Sequence, residues 1–285
     1  MPAELIRRLL PDDAKHAGMA RRVSQAWRSA AQLKEVSLTV NKPTVDFTQL
    51  SNMFLVTSLE VDPEYHLTSS QRRAMTSLTS LTSLDLKYQR SGGEHMKQVF
   101  KAIRNRAQLK RLNLRGSRLQ KEGTWALARL LDKCTSLEDL ILSGSEVEED
   151  NEILQLAKSL PTSLIHLDLS GLNTAEADTR TEILRCLAKL TSLQTLDLTS
   201  TDLENEDMDE VVAATQYMPH LKRLILNSNL IDDEGLRNLY EAQLSSLEEL
   251  EIYDNAILNP PPGKPEGWKR LTHIMYQEPP PPDEW

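Results

Sequence analysis

The chain has 285 residues, a net charge of −9, 39% hydrophobic and 5% aromatic residues, and two cysteines. It is long enough to bury a sizeable core, and a pI near 5.3 argues against a nucleic-acid binder, which carries a net basic footprint. No apolar run approaches the roughly 18 residues needed to cross a bilayer, and two cysteines give no disulfide framework, so a reducing compartment is expected: cytoplasmic, with the nucleus also open.

Residues 1–32 carry six Lys/Arg against three acids, so the remainder of the chain holds −12. Two short helices are expected here. The first carries Leu5, Ile6, Leu9 and Leu10, opening after Pro2 and stopping near Pro11. The second carries Met19, Val23, Trp27 and Ala30 at helical spacing, and no secretion signal precedes them.

From residue 33 to 258 a repeat takes over. Leucine makes up 48 residues, about 17% of the chain, and much of it falls into one hexad. LTSLDL starts at Leu81, LKRLNL at Leu109, LEDLIL at Leu137 and LIHLDL at Leu164. LQTLDL starts at Leu193, LKRLIL at Leu221 and LEELEI at Leu247, with successive starts 28, 28, 27, 29, 28 and 26 residues apart. Two weaker copies, LKEVSL from Leu33 and VTSLEV from Val56, bring the total to nine. Leucines two apart, such as Leu112 and Leu114, share one side of a short strand. Between strands the spacing turns helical: Met96, Val99, Phe100 and Ile103 form one stripe, Ile183, Leu184, Leu187 and Leu190 another, and Leu236, Leu239 and Tyr240 a third. Strand then helix, repeated, predicts a parallel sheet with helices on one face. Parallel strands sit about 4.8 Å apart and packed helices about 8–10 Å. The stack must therefore bend, with the strands on the inside.

After residue 259 the composition changes again. Eight of the fourteen prolines fall in 260–282. Because proline removes donors and fixes φ, no further strand–helix unit is expected. Trp268, Leu271, Ile274 and Met275 are expected to cover the last repeat, and the terminal PPPPDEW to run as an extended tail.

The L-x-x-L-x-L pattern resembles the leucine-rich repeat family, in particular its 28-residue branch typified by the ribonuclease inhibitor. That resemblance implies an α/β horseshoe solenoid with a concave parallel sheet. It also implies a polar residue eight positions after the first leucine, followed two residues on by an apolar one. Ser117, Ser145, Thr201, Asn229 and Asn255 fit. Unit six departs, with Leu172 at the polar position, so a shifted turn is expected there.

The N-terminal segment, P-A-E-L-I-x-x-L-L-x-D-D followed by R-x-V-S-Q-A-W-R-S-A-A, resembles a shortened F-box. Pro2, Leu5, Ile6, Leu9, Leu10, Val23 and Trp27 would then dock a Skp-family ubiquitin-ligase adaptor while the repeats capture a substrate. KCTSLEDLILSG, residues 133–144, is similar to the cysteine-containing repeats of F-box proteins. The same two helices also suit a plain cap, since a solenoid must cover the apolar edge of its first unit. A scaffold or regulator without a ubiquitin role, for example of a small GTPase, is the second functional reading.

Catalytic signatures are missing: the sequence has no glycine-rich phosphate loop, HExxH, GxSxG or CxxC. No enzyme activity, metal or cofactor is expected, and Cys134 and Cys186 read as two buried helix cysteines. Function is expected on the outward residues of the inner strands, where a protein partner would bind. These include Asp85, Lys87, Arg111, Asn113, Arg115, Asp139, Ile141, His166, Asp168, Asp197, Arg223, Ile225, Glu249, Glu251 and Tyr253. Lys87, Arg111 and Arg115 form a basic island between acidic flanks, a pattern suited to orienting a ligand. Asp168 and Asp197 fall in one column, about 5 Å apart if their strands are neighbours.

Overall fold

The structure, a computed structural model, describes residues 35–53, 55–242, 244–259 and 273–275. The two expected N-terminal helices, Trp268, Leu271 and the PPPPDEW tail lie outside the described residues. Ten strands form one parallel sheet in strict sequence order. They are β1 (Glu35–Val40), β2 (Leu55–Val61), β3 (Ser83–Asp85), β4 (Arg111–Asn113) and β5 (Asp139–Ile141), then β6 (His166–Asp168), β7 (Thr195–Asp197), β8 (Arg223–Ile225), β9 (Glu249–Glu251) and β10 (His273–Met275).

Helices occupy the connections: α1 (Phe47–Met53), α2 (Ser69–Ala74), α3 (Gly93–Ile103), α4 (Gln120–Leu131), α5 (Asp150–Ser159), α6 (Ala177–Leu187), α7 (Met208–Gln216) and α8 (Asp233–Glu241). This is the expected α/β horseshoe. The hexad leucines and the helix stripes meet in one core: Leu84, Leu112, Leu140, Leu167, Leu196, Leu224 and Leu250 are buried against Met96, Val99, Ile183, Leu187, Leu236 and Leu239. Strands β3–β9 are only three residues long, so one buried leucine anchors each while its neighbours face outward, Ile225 excepted.

Two registrations differ from the sequence reading. Leu38 pairs with Leu59 and Val40 with Val61, after a register shift between Val36 and Ser37. The first copy therefore starts at Glu35, two residues later than LKEVSL suggests. Alternating apolar residues satisfy both frames, and an extra residue in β2 decides between them. At the other end β10 pairs in parallel with β9, adding a strand where none was expected. Residues 266–278 contain no proline, so nothing removes backbone donors from that stretch.

The turns leaving β3 to β9 share one backbone conformation. Tyr88, Gly116, Gly144, Gly171, Ser200, Ser228 and Asp254 all adopt positive φ at the same position of the unit. From Tyr88 to Ser228 their N–H groups point to the next unit: Gly116 to Ser143 O at 2.8 Å, Gly171 to Thr199 O at 2.8 Å, Ser200 to Asn227 O at 2.9 Å. Glycine holds that conformation without the penalty a Cβ imposes. One residue further on, the polar side chain satisfies the buried loop backbone. Ser117 Oγ donates to Leu86 O (2.6 Å), Ser145 Oγ to Leu114 O (2.9 Å) and Asn255 Nδ2 to Leu226 O (2.9 Å).

Leu172 corrects an expectation. Its turn is not shifted: Leu172 N donates to Leu169 O at 3.1 Å, as Ser117 N does to Leu114 O, and the side chain is buried. The ladder simply lacks a rung there. Thr201 turns back on its own unit, donating to Leu198 O at 2.7 Å. Beside this gap Arg180 and Asp207, both buried, join the helix starts of units six and seven.

Candidate functional site

The open face of the sheet is ruled by strand register. One file across it reads Asp85, Asn113, Ile141, Asp168, Asp197, Ile225 and Glu251, each paired with the next. A second reads Arg111, Asp139, His166, Thr195, Arg223 and Glu249. Lys87, Arg115 and Tyr253 stand just beyond their strands. The structure thus brings fourteen of the fifteen expected face residues onto one surface; the fifteenth, Ile225, is largely buried at 9% exposure. The seven adaptor-docking residues Pro2, Leu5, Ile6, Leu9, Leu10, Val23 and Trp27 lie outside the described residues.

Electrostatics reorganise the expected island. Lys87 Nζ sits 2.8 Å from Glu60 Oε1 and 3.6 Å from Asp85 Oδ2, and the Glu60 hydrogen bond followed by Asp85 holds its ammonium above the usual lysine range. Asn113 Nδ2 donates to Asp85 Oδ2 at 3.0 Å. Arg111 approaches Asp139 only to 3.8 Å and stays exposed, while Arg115 makes no ion pair among the described residues. The island therefore reduces to Arg111 and Arg115. At the far end Arg223 binds Glu249 Oε2 at 3.3 Å and also pairs with Glu251, which accepts from Asn227 Nδ2 at 3.2 Å. Glu60 and Asn227 are the two further face residues that take part in these contacts.

Between these self-paired ends lies an unpaired centre. Asp168 and Asp197 face each other in register with no cation bound to either among the described residues. Asp168 accepts from Ser170 N at 3.0 Å and Ser170 Oγ at 2.6 Å, and Asp197 accepts from Thr199 N at 2.9 Å. Burial pushes the Asp197 carboxyl above the usual carboxylate range, with Asp168 and Glu251 adding to it. His166 is exposed next to this pair. Two carboxylates are too few ligands for a metal site, and among the described residues no group of three His, Cys, Asp or Glu comes together to hold one. Cys134 is buried in the turn after α4, where desolvation raises its thiol to about 12; Cys186 is only half-buried on α6. Of two expected buried helix cysteines, Cys134 is thus buried but outside the helix, and Cys186 helical but only half-buried.

What this surface offers is a shallow wall of fixed side chains, not a cleft with a reactive group. Residues 189–211 and 217–239 match the family model described as Leucine Rich repeat. The solenoid is made of leucine-rich repeats. These repeats are 25% identical over 150 residues, 52% of this chain, to NACHT, LRR and PYD domains-containing protein 5 of Bos taurus. They are 25% identical over 147 residues, half of this chain, to Rho GTPase-activating protein gacW of Dictyostelium discoideum. The matches span only 14% and 13% of those two relatives. Among solved structures, internalin C2 of Listeria monocytogenes superposes with a TM-score of 0.54 at 19% identity, covering 82% of this chain and 84% of its own. That likeness concerns the fold. Among the described residues no helix of this repeat protein is long and apolar enough to cross a membrane.

Proposed function

We propose that this leucine-rich-repeat chain is a non-enzymatic protein-binding module that grips its partner on the open sheet face. The observation that carries the reading is the contrast along that face: ends locked in Lys87–Glu60 and Arg223–Glu251 pairs, and a centre where Asp168, Asp197, His166 and Arg115 hold no ion pair among the described residues and are left to meet charge from outside. Exposed, unpaired charges steer encounter and fix register, and a pre-ordered sheet loses little freedom on binding.

In its finer form the chain is an F-box-type substrate-recognition subunit of a cullin-RING ubiquitin ligase, found in the cytoplasm. Pro2, Leu5, Ile6, Leu9, Leu10, Val23 and Trp27 would dock a Skp-family adaptor, and the concave residues would hold the substrate. The motif match immediately ahead of the repeats supports it, as does the 28-residue spacing with a full α-helix per unit. Mixing the purified chain with a Skp-family adaptor tests it: a complex lost in Leu5→Ala/Trp27→Ala is expected, and no complex with the intact chain overturns it.

A second reading is favoured by the likeness to a Rho GTPase-activating protein: a repeat scaffold that engages a small GTPase. A stable complex with a Rho-type GTPase, weakened by Asp168→Arg/Asp197→Arg and formed without the adaptor, would select this reading instead.

A further inference from the structure

The helical side of the solenoid carries a feature that the sheet-face reading does not use. α3 and α4 approach closely at their starts, because Gly93 and Gly123 remove side chains there: a Cβ on Gly123 would lie 3.1 Å from Met96 Cβ and 3.5 Å from Gly93 Cα. Toward their C-terminal ends a groove of about 670 Å³ opens between the two helices. Lys97, Lys101 and Arg104 line it from α3 and the turn after it, and Lys121, Arg129 and Lys133 from α4 and its following turn. Glu122 and Asp132 are the acids on the same lining, which therefore carries a surplus of four positive charges in a chain whose net charge is −9.

Four of the six cations, Lys101, Arg104, Arg129 and Lys133, are exposed and hold no ion pair among the described residues. Lys97 pairs with Glu94 at 2.7 Å and Lys121 with Glu149 at 3.6 Å, both at the surface. Cations near helix C-termini are favoured by the helix dipole, which accounts for those at the two last turns. It does not account for Lys97 and Lys121, which stand in the first half of their helices. Nor does it account for Trp125, whose indole is 39% exposed on the groove wall. Phe100 and Leu130 form an apolar floor beneath.

We infer that this groove docks an acidic peptide segment carrying an apolar anchor: carboxylates on the cationic rim, the anchor against Trp125, Phe100 and Leu130. An apolar pocket ringed by basic groups is the arrangement that reads such a segment, since aromatic anchors supply binding energy and the rim supplies orientation. A long polyanion fits less well. The positive surplus is confined to one groove, and the −9 of the whole chain repels an extended nucleic acid or an anionic membrane.

Fluorescence anisotropy with the intact chain and a labelled acidic peptide, EEDLFDEE, at low salt tests this. Saturable binding is expected, weakened about tenfold or more by Lys101→Glu/Arg129→Glu and by raised salt, and about fivefold by Trp125→Ala. Arg115→Glu on the opposite face should leave it unchanged, which separates this site from the sheet-face reading. All these positions are exposed, and circular dichroism checks each variant's fold. No saturable binding, or equal binding by the charge-reversed variant, overturns the inference. So does tighter binding of a single-stranded oligonucleotide or anionic vesicles at the same groove, which would make the partner a nucleic acid or a lipid surface.

Discussion

Arg180 Nε donates to Asp207 Oδ2 across 2.6 Å, with both side chains buried, beside the gap that Leu172 leaves in the polar ladder between repeats. Arg180 Nη1 also donates to Thr174 O at 3.2 Å, and Asp207 Oδ2 accepts from Glu204 N at 2.9 Å. The pair thus ties three backbone segments of units six and seven, where Leu172 ties none. Removing Asp207 leaves the buried Arg180 with only the half-exposed Glu204, 3.8 Å away, to answer its charge. Asp207→Ala should cost about 3–5 kcal/mol, read as a lower urea midpoint. An apolar replacement of both partners should recover most of that loss, whereas a loss below about 1 kcal/mol for the single variant would show that the pair is solvated.

Asn229 is the strongest rung of the ladder. Its Nδ2 donates to Leu198 O at 2.9 Å and Leu226 O at 3.0 Å, and its Oδ1 accepts from Thr201 N at 3.0 Å and Leu203 N at 3.1 Å. Asn229→Ala would orphan several buried backbone groups at about 1–3 kcal/mol each where water cannot reach them. A total loss of roughly 3 kcal/mol or more is expected by chemical denaturation, together with faster amide exchange at Thr201 and Leu203.

Ser200 occupies the turn position that Gly116, Gly144 and Gly171 fill elsewhere, with φ of 52°. Its backbone N–H is engaged with Asn227 O at 2.9 Å, so the conformation is imposed by the neighbouring repeat. Ser200→Gly relieves the Cβ strain and should stabilise by about 0.5–1 kcal/mol. Ser200→Val should destabilise, because a β-branched side chain is least tolerant of positive φ.

Asp197 sets a pH dependence with a definite sign. Its folded carboxyl titrates above the unfolded value of 3.8, first through burial and then through Asp168 and Glu251. The resulting stabilisation is complete below the unfolded value and is lost as pH rises through the folded one. Asp197→Asn should therefore melt higher than the wild type near pH 7, with the gap closing toward pH 4. A constant gap across that range would assign the effect to packing instead of ionisation.

Most of the architecture was legible because one leucine per turn of the solenoid does one job in every unit, so spacing alone located seven strands and their helices. The misreadings share a cause: they concern relations between units. Leu33 and Glu35 both open an alternating hexad, and only pairing with β2 decides between them. Leu172 read as a displaced turn because polarity was taken to define the loop, whereas backbone bonds to the next repeat define it. The sheet-face residues were legible by parity, but not which of them are consumed by neighbours: Lys87 looked free until Glu60 was placed beside it. The Lys121, Trp125, Arg129 and Lys133 stripe was visible at four-residue spacing. Its counterpart Lys97, Lys101 and Arg104 acquires meaning only when α3 and α4 are set side by side.

His95 gives a second titration of opposite sense. It is half-buried; its Nδ1 lies 2.9 Å from Arg72 Nη1, and His66 stands 6.3 Å away between ring centroids. Desolvation first, then the Arg72 and His66 charges, lower it from 6.5 to about 4. The guanidinium donates to the neutral ring, so protonation would set two cations face to face. Between the unfolded value and the folded one, only the unfolded chain takes up the proton. Stability carried by the neutral ring is therefore full above 6.5 and drains away as pH falls toward 4. Because the ring is partly solvated the loss should be on the order of 1 kcal/mol, well below the figure for a fully buried group. Urea midpoints for the wild type and His95→Gln at pH 7 and pH 4.5 measure it: the wild type should fall further than the variant over that interval. Equal slopes would mean that His95 protonates freely in the folded chain and that the Arg72 contact reorganises to admit the charge.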